Sequence, residues 1–438
     1  MLGDISNETG NRDADMGYTG TGSHSPNALS LANPAYYHYQ VYPFVPAKFA
    51  YLDFSVASRI TNYTSTSGSD ASVGGNLNRL ALLLPMNRNK NTIHKWGSVI
   101  AARPYSSKNY DFVMSGKVEN DTLGFTSSNN GGGGLSEILW GNGVKLSENW
   151  MVGLNASYLF GKYTSNTTTK LDGTSVTQAY TKENRQTYVL LKPGIAYVKQ
   201  LSRYDSVKTI AKHVDSLSGE IRVDTLREYK KVSTPYVLNL GATFERGYAL
   251  SNSEQSTKRV YDGNLTEYVL DTLTDNNLNK YHLPASLKVG ASIVKLDEYM
   301  ILPYWTLNAD LGTKLWSLSH KDLGYRNTWS LGIGAERQVL FNKNGQRSML
   351  SYLRAGAYYN QLPYQFNNQY IDELGITFGA TFRLKGVKGL QDVVLLNSSV
   401  ALGQRGTTAN NLISEKFIKF TLGFTFLEDR WFRKYRLD

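Results

Sequence analysis

The chain has 438 residues, a formal net charge of +11, 41% hydrophobic residues and a mean hydropathy of −0.36. No window approaches the roughly 18 consecutive apolar residues of a membrane-crossing helix, so the composition argues against a helical membrane protein. Cysteine is absent, which rules out disulfides, thiolate metal sites and a cysteine nucleophile.

The aromatics lean towards tyrosine, with 30 Tyr against 16 Phe and 7 Trp. A ring with a polar tip suits the boundary between lipid and water. The 39 glycines suit hairpin turns and a polar lumen. Lys and Arg are scattered rather than clustered with aromatics on one face, so anionic lipid headgroups are the expected partners and nucleic acid is not.

In chain order, the N-terminus shows no basic segment followed by an apolar core, and the expectation is the mature form of an exported protein. Residues 1–47 do not alternate; they are rich in turn formers and read as a segment that hangs below the first strand or folds into a lumen. From residue 48 the pattern changes to period two, in which alternate side chains share a face. Val152, Leu154, Ala156, Tyr158 and Phe160 alternate with Gly153, Asn155, Ser157, Leu159 and Gly161. Trp329, Leu331, Ile333 and Ala335 alternate with Ser330, Gly332, Gly334 and Glu336, and Phe420, Leu422, Phe424 and Phe426 with Thr421, Gly423 and Thr425. An apolar face opposite a face of Gly, Ser, Thr and Asn suits lipid outside and a polar lumen inside. Only a closed barrel satisfies every backbone group in hydrocarbon.

Candidate strands are 48–63, 76–86, 95–117, 133–147, 149–163, 184–200, 234–250, 282–295, 300–317, 326–340, 349–364, 372–384, 392–405 and 415–426. The expected fold is therefore an all-β, transmembrane antiparallel barrel of about 14 strands in the bacterial outer membrane, spanning 48–426, with both ends on the periplasmic side. Segments 164–183 and 251–281 read as polar surface loops, and Gly131–Gly134 as a flexible one. Residues 201–233 break the order: they form a periplasmic excursion too long for a turn, read either as an ordered hairpin extension or as a docking element.

The run Met16–Ala35, ending in Asn33, Pro34 and Ala35, resembles the N-terminal hatch of the FadL family of outer-membrane channels. Arg103–Ser106, Gly134–Glu137, Asn155–Gly161, Leu283–Ser286, Gly403–Thr408 and Asp429–Phe432 are similar to the form of that family found in Bacteroidota. The resemblance spans nearly the whole chain apart from 164–183, 201–233 and 251–281. It implies a fourteen-stranded barrel plugged by its hatch, and passage of hydrophobic molecules from an interior pocket through a gap in the wall. The lumen side of this chain also carries Lys288, Asp310, Lys314, Glu336, Arg354 and Arg383, an unusual lining for a greasy pocket. The tail 427–438 follows the last strand. Its Arg430, Trp431, Phe432, Arg433 and Lys434 pair aromatics with cations and suit the periplasmic headgroup layer.

Catalytic constellations are missing. The six histidines have no metal-ligand spacing and read as solvated turn residues, no Gly-x-Ser-x-Gly elbow occurs, and no cofactor, metal or enzyme activity is expected. Two functions follow. One is a FadL-like channel for hydrophobic or amphipathic compounds. The other is a non-transporting accessory subunit of an outer-membrane machine, a barrel-assembly or type IX secretion complex, reached through 201–233 or the tail.

Overall fold

The computed structural model describes residues 3–6, 10–25, 27–38, 50–86, 96–117, 123–214, 221–249, 251–262, 267–275, 282–297, 302–318, 324–343, 346–384 and 393–428. Fourteen long strands form an antiparallel barrel: β1 (Ala50–Thr64), β2 (Ser69–Pro85), β3 (Trp96–Ser107), β4 (Gly124–Lys145), β5 (Trp150–Leu171), β6 (Thr177–Val214), β7 (Ile221–Glu245), β8 (Ala285–Leu296), β9 (Pro303–Leu315), β10 (Thr328–Lys343), β11 (Gln346–Phe366), β12 (Gln369–Leu384), β13 (Val393–Gly406) and β14 (Ser414–Glu428). Each pairs with its successor, and β1 closes the ring on β14 from Ala50↔Glu428 to Thr64↔Ser414. Closure removes the sheet edges that an open sheet of this size would expose.

The period-two reading holds strand by strand. On β5, Leu154, Tyr158 and Phe160 are exposed while Met151, Asn155, Ser157 and Leu159 are buried. On β9, Leu307 and Leu311 point outward and Thr306, Asn308 and Asp310 inward. Large apolar residues that a soluble protein would bury thus form the outer face.

Several loop expectations are corrected. The segment 164–183 continues the β5–β6 ladder out to Lys170↔Thr177, because its Thr-rich sequence suits cross-strand pairing as well as it suits solvent. Within 251–281, the strands Ser251–Tyr261 and Glu267–Asp275 form a hairpin that docks on the end of β6. Gly131–Gly134 lie inside β4, and Gly133 has φ +101°; a Cβ there would collide with the Lys162 carbonyl. The expected strand 95–117 is interrupted only at 108–109: β3 and the strand Tyr110–Lys117 lie end to end along β4 in one antiparallel register, from Ser107↔Gly134 on to Tyr110↔Gly131 and Lys117↔Gly124.

Within 201–233, residues 202–214 and 221–233 are paired as the two arms of a hairpin. After a bulge between Gln200 and Ser202, the β6–β7 ladder runs from Ser202↔Ser233 to Val214↔Ile221. Thirteen rungs carry it about 40 Å beyond the neighbouring strands. The expected C-terminal tail residues Arg430, Trp431, Phe432, Arg433 and Lys434 lie outside the described residues.

One seam of the wall is short. β2 and β3 pair only over Leu80–Pro85 and Ala102–Gly97, although β2 begins at Ser69 and β3 runs to Ser107. The short strand Asp4–Ile5 instead pairs with Ser107 and Ser106 of β3.

Candidate functional site: a charge-locked hatch in the lumen

Inside the barrel, residues 10–25 and 27–38 form a hatch containing the short helix Asn11–Asp15 and the 3-10 turn Pro34–Tyr36. Nearly all of it is buried, including Arg12, Asp13 and Asp15. The Asn33–Ala35 motif explains itself locally. Asn33 has extended backbone and caps the turn, its side-chain oxygen accepting from the Ala35 amide at 3.0 Å. Pro34 sits at the first position of the turn, where no amide hydrogen is needed. The Asn33 amide nitrogen donates to the carbonyls of Thr21 (2.9 Å) and Ile195 (3.0 Å), tying the turn to the rest of the hatch and to β6. Ala35 is fully buried, so only a small side chain fits.

The opposite side of the hatch is held by charge. Arg12 donates from Nε and Nη2 to the two carboxylate oxygens of Glu336 on β10, at 3.0 and 3.1 Å. Arg354 on β11 donates to the same carboxylate at 2.6 Å and to Asp15 at 3.1 Å. Two guanidiniums and two carboxylates thus form a neutral, buried cluster joining the hatch helix to two strands. Arg12 grips Glu336 through two parallel donors, and Arg354 divides its donors between Glu336 and Asp15, charge-assisted bonds that offset the cost of burying charge. Asp310 on β9 accepts from the backbone amides of Gly20 and Thr21 at 2.9 and 2.8 Å. Thr377 on β12 accepts from the Gly17 amide and donates to the Asp15 carbonyl. Near the ends of β1 and β2, Arg79 and Asp53 form a further buried pair at 2.6 Å, joined by Thr425.

Glycines on the inner wall let the hatch approach this closely. A Cβ on Gly334 or Gly356 would overlap Met16 or the Gly17 amide, so the strap between the two hatch turns lies directly on bare backbone of β10 and β11.

Of the six expected lumen residues, Asp310, Glu336 and Arg354 belong to this lock. Lys288 and Lys314 line a separate cavity with Arg103, Lys192 and Glu245. Arg383 lies on the inward register of β12 but is exposed near the strand's end, outside both groups. Sequence reading missed Arg12, Asp15, Asp53 and Arg79. The signal for them was present as charges in a segment of turn formers and on the small-residue faces of β1 and β2. His24 and His38 are also corrected: both are buried in the hatch rather than solvated, because the turn that carries them is inside the barrel. Burial, helped by the charge of Lys145, lowers the His38 pKa to about 3, despite an opposing hydrogen bond to the Ala35 backbone carbonyl.

Two cavities among the described residues beside the hatch are small. One cavity beside Tyr37, Tyr51 and Leu83 holds about 30 Å³ and the cationic one about 70 Å³. Small-molecule sites commonly need roughly 300 Å³ or more. Among the described residues, no group of His, Asp or Glu is arranged to hold a metal ion.

Solved structures share this architecture. The CymD monoaromatic hydrocarbon channel is similar at TM-score 0.54 and 14% identity, covering 95% of this chain and 97% of its own. The Ralstonia pickettii toluene transporter TbuX is similar at TM-score 0.54 and 12% identity, covering 96% and 98%. A Pseudomonas aeruginosa FadL homologue reaches 0.53 and 11%, covering 98% and 99%. At these identities the likeness shows a common fold, the plugged FadL-type barrel that the sequence resemblance implied. A search of curated proteins finds no relative. The family profile that matches is BamG rather than FadL, and it spans residues 2–438. The chain belongs to the BamG family, built on a FadL-type barrel.

Proposed function

We propose that this chain is a plugged outer-membrane barrel that acts through its surfaces, as an accessory subunit of an outer-membrane assembly machine rather than as a conduit. The observation that carries this reading is the lock. A channel for hydrophobic compounds needs an apolar path, and here the lumen is occupied by a hatch fixed through a buried, charge-balanced cluster. Opening that path would separate the charges in a water-poor interior, at a cost of several kcal/mol. The BamG designation agrees with a role in barrel assembly. The paired hairpin of β6 and β7, reaching about 40 Å past the neighbouring strands on the side expected to be periplasmic, supplies a docking element. The apolar outer face and closed wall support an outer-membrane location.

A second reading has its own support. The short β2–β3 seam leaves part of the wall without ladder pairing among the described residues, and the fold is that of hydrocarbon channels, so lateral uptake of hydrophobic compounds is the competing function.

Affinity purification from native outer membranes in mild detergent separates the two. The assembly reading expects stoichiometric membrane partners that are lost when residues 202–233 are replaced by a two-residue turn. Recovery of the barrel alone, together with a bound hydrophobic compound, contradicts it and favours the channel.

A further inference from the structure

The second charged region of the lumen is not balanced. At the end of the barrel away from the long β6–β7 hairpin, one rung crosses neighbouring strands. Glu245 of β7 pairs with Ser286 of β8, and Ser286 with Lys314 of β9. Lys192 of β6 stands on the other side of Glu245, with Nζ 3.5 Å from Oε1. Lys288 lies two residues along β8, on the same face as Ser286. Arg103 of β3 comes in from across the lumen and is already matched by Glu137 at 2.5 Å. These groups surround the cavity of about 70 Å³, with Tyr105 and Ser6 also in its lining. The Ser6 amide donates to the Tyr105 carbonyl, so the N-terminal segment is fixed along β3 as one wall of the cavity.

Four cations therefore converge with two carboxylates, Glu137 and Glu245. Each carboxylate has a cation of its own in Arg103 and Lys192. Among the described residues, Lys288 and Lys314 have no carboxylate within 4.0 Å, yet they face the same enclosed space. Two like charges held close in a water-poor site repel each other, and a fold keeps such a pair where an anion completes it. The cavity of about 70 Å³ is several times the roughly 10–15 Å³ that a single water needs, which leaves room for a tetrahedral oxyanion. The donors suit one as well: Lys288 and Lys314 bring two ammonium groups with three hydrogens each, while the Ser286 hydroxyl is given to Glu245 at 3.3 Å and helps to hold that carboxylate.

We propose that this cavity binds a doubly charged phosphate group, with Lys288 and Lys314 as its principal ligands. The group is either free inorganic phosphate or the phosphomonoester of a lipid headgroup, each of which carries the second negative charge. The inference is independent of the assembly reading, since a plugged barrel and a channel could each carry the site.

The test uses the full-length protein in detergent. Thermal unfolding is followed in inorganic phosphate and in chloride at matched ionic strength, and phosphate affinity is measured by calorimetry. Wild type is expected to unfold at a higher temperature in phosphate. Lys288→Met with Lys314→Met should bind phosphate about a hundredfold more weakly, about tenfold for each ammonium removed. In chloride the double variant should be at least as stable as wild type, because a repulsion has been relieved. Native mass spectrometry of protein extracted from membranes separates the sources: a bare phosphate adduct points to the free ion, and a phosphorylated lipid to a headgroup. The proposal is overturned by a wild type that phosphate stabilises no more than chloride. It is equally overturned by a double variant that binds phosphate as wild type does, or that loses stability in chloride because the ammonium groups were already compensated. If the double variant does not fold, the wild-type comparison of phosphate with chloride decides alone.

Discussion

Two charged regions share one lumen and differ in what they leave over. Around Arg12, Asp15, Glu336 and Arg354 the charges cancel, the groups are buried, and every carboxylate meets a guanidinium. Around Lys192, Glu245, Lys288 and Lys314 the charges do not cancel and a cavity remains. The first pattern is what a permanent closure needs, because a cluster whose charges already cancel has no net charge for a ligand to neutralise. The second is what a binding site needs. The contrast teaches that a polar lumen is not one feature, and that charge balance separates the part that holds from the part that is available.

The comparison breaks most severely at Glu336. Glu336→Ala leaves two buried guanidiniums without their shared carboxylate and should cost about 3–5 kcal/mol, seen as release of the hatch to limited proteolysis while the barrel stays folded. Gly356→Ala adds a methyl where the Gly17 amide lies and should cost about 1–3 kcal/mol by the same assay. Asp310→Asn keeps an acceptor for the Gly20 and Thr21 amides but removes its charge, for about 1 kcal/mol. Acid acts more gently and in a defined direction. His38 is held at about 3 against an ordinary 6.5, so the unfolded chain takes up its proton first. The stability that comes with neutral His38 is complete above pH 6.5 and is lost as pH falls towards 3. Hatch protection should therefore weaken over that window, and His38→Gln should flatten the dependence. Arg383→Ala, exposed and outside both clusters, should change stability by less than about 0.5 kcal/mol in a thermal melt.

Much of the wall was legible because each strand carries its own evidence. The alternation of Leu154, Tyr158 and Phe160 with Asn155 and Ser157 states both the strand and its outer face. Counting such runs gave an even barrel before any pairing was known. Strand ends were less legible: Thr164–Leu171 pair as strand yet carry none of the lipid-facing residues that mark the membrane portion. The hatch was visible as a motif, since Asn33 capping Pro34 is local chemistry. Its lock was not. Arg12 and Glu336 are 324 positions apart, and nothing in either neighbourhood names the other. Glycines such as Gly334 and Gly356 read as small lumen residues, whereas their role as seats for the Met16–Gly17 backbone depends on a chain segment at the far end of the sequence.

The central claim is that the hatch stays in place while the protein works. Because the chain contains no cysteine, one tether can be added cleanly. Thr19→Cys with Asn308→Cys replaces a hatch–wall hydrogen bond of 3.3 Å by a disulfide. The oxidised variant should support outer-membrane protein levels and capture partners as the wild type does. Loss of function on oxidation that returns on reduction would show that the hatch must move, and would contradict the account.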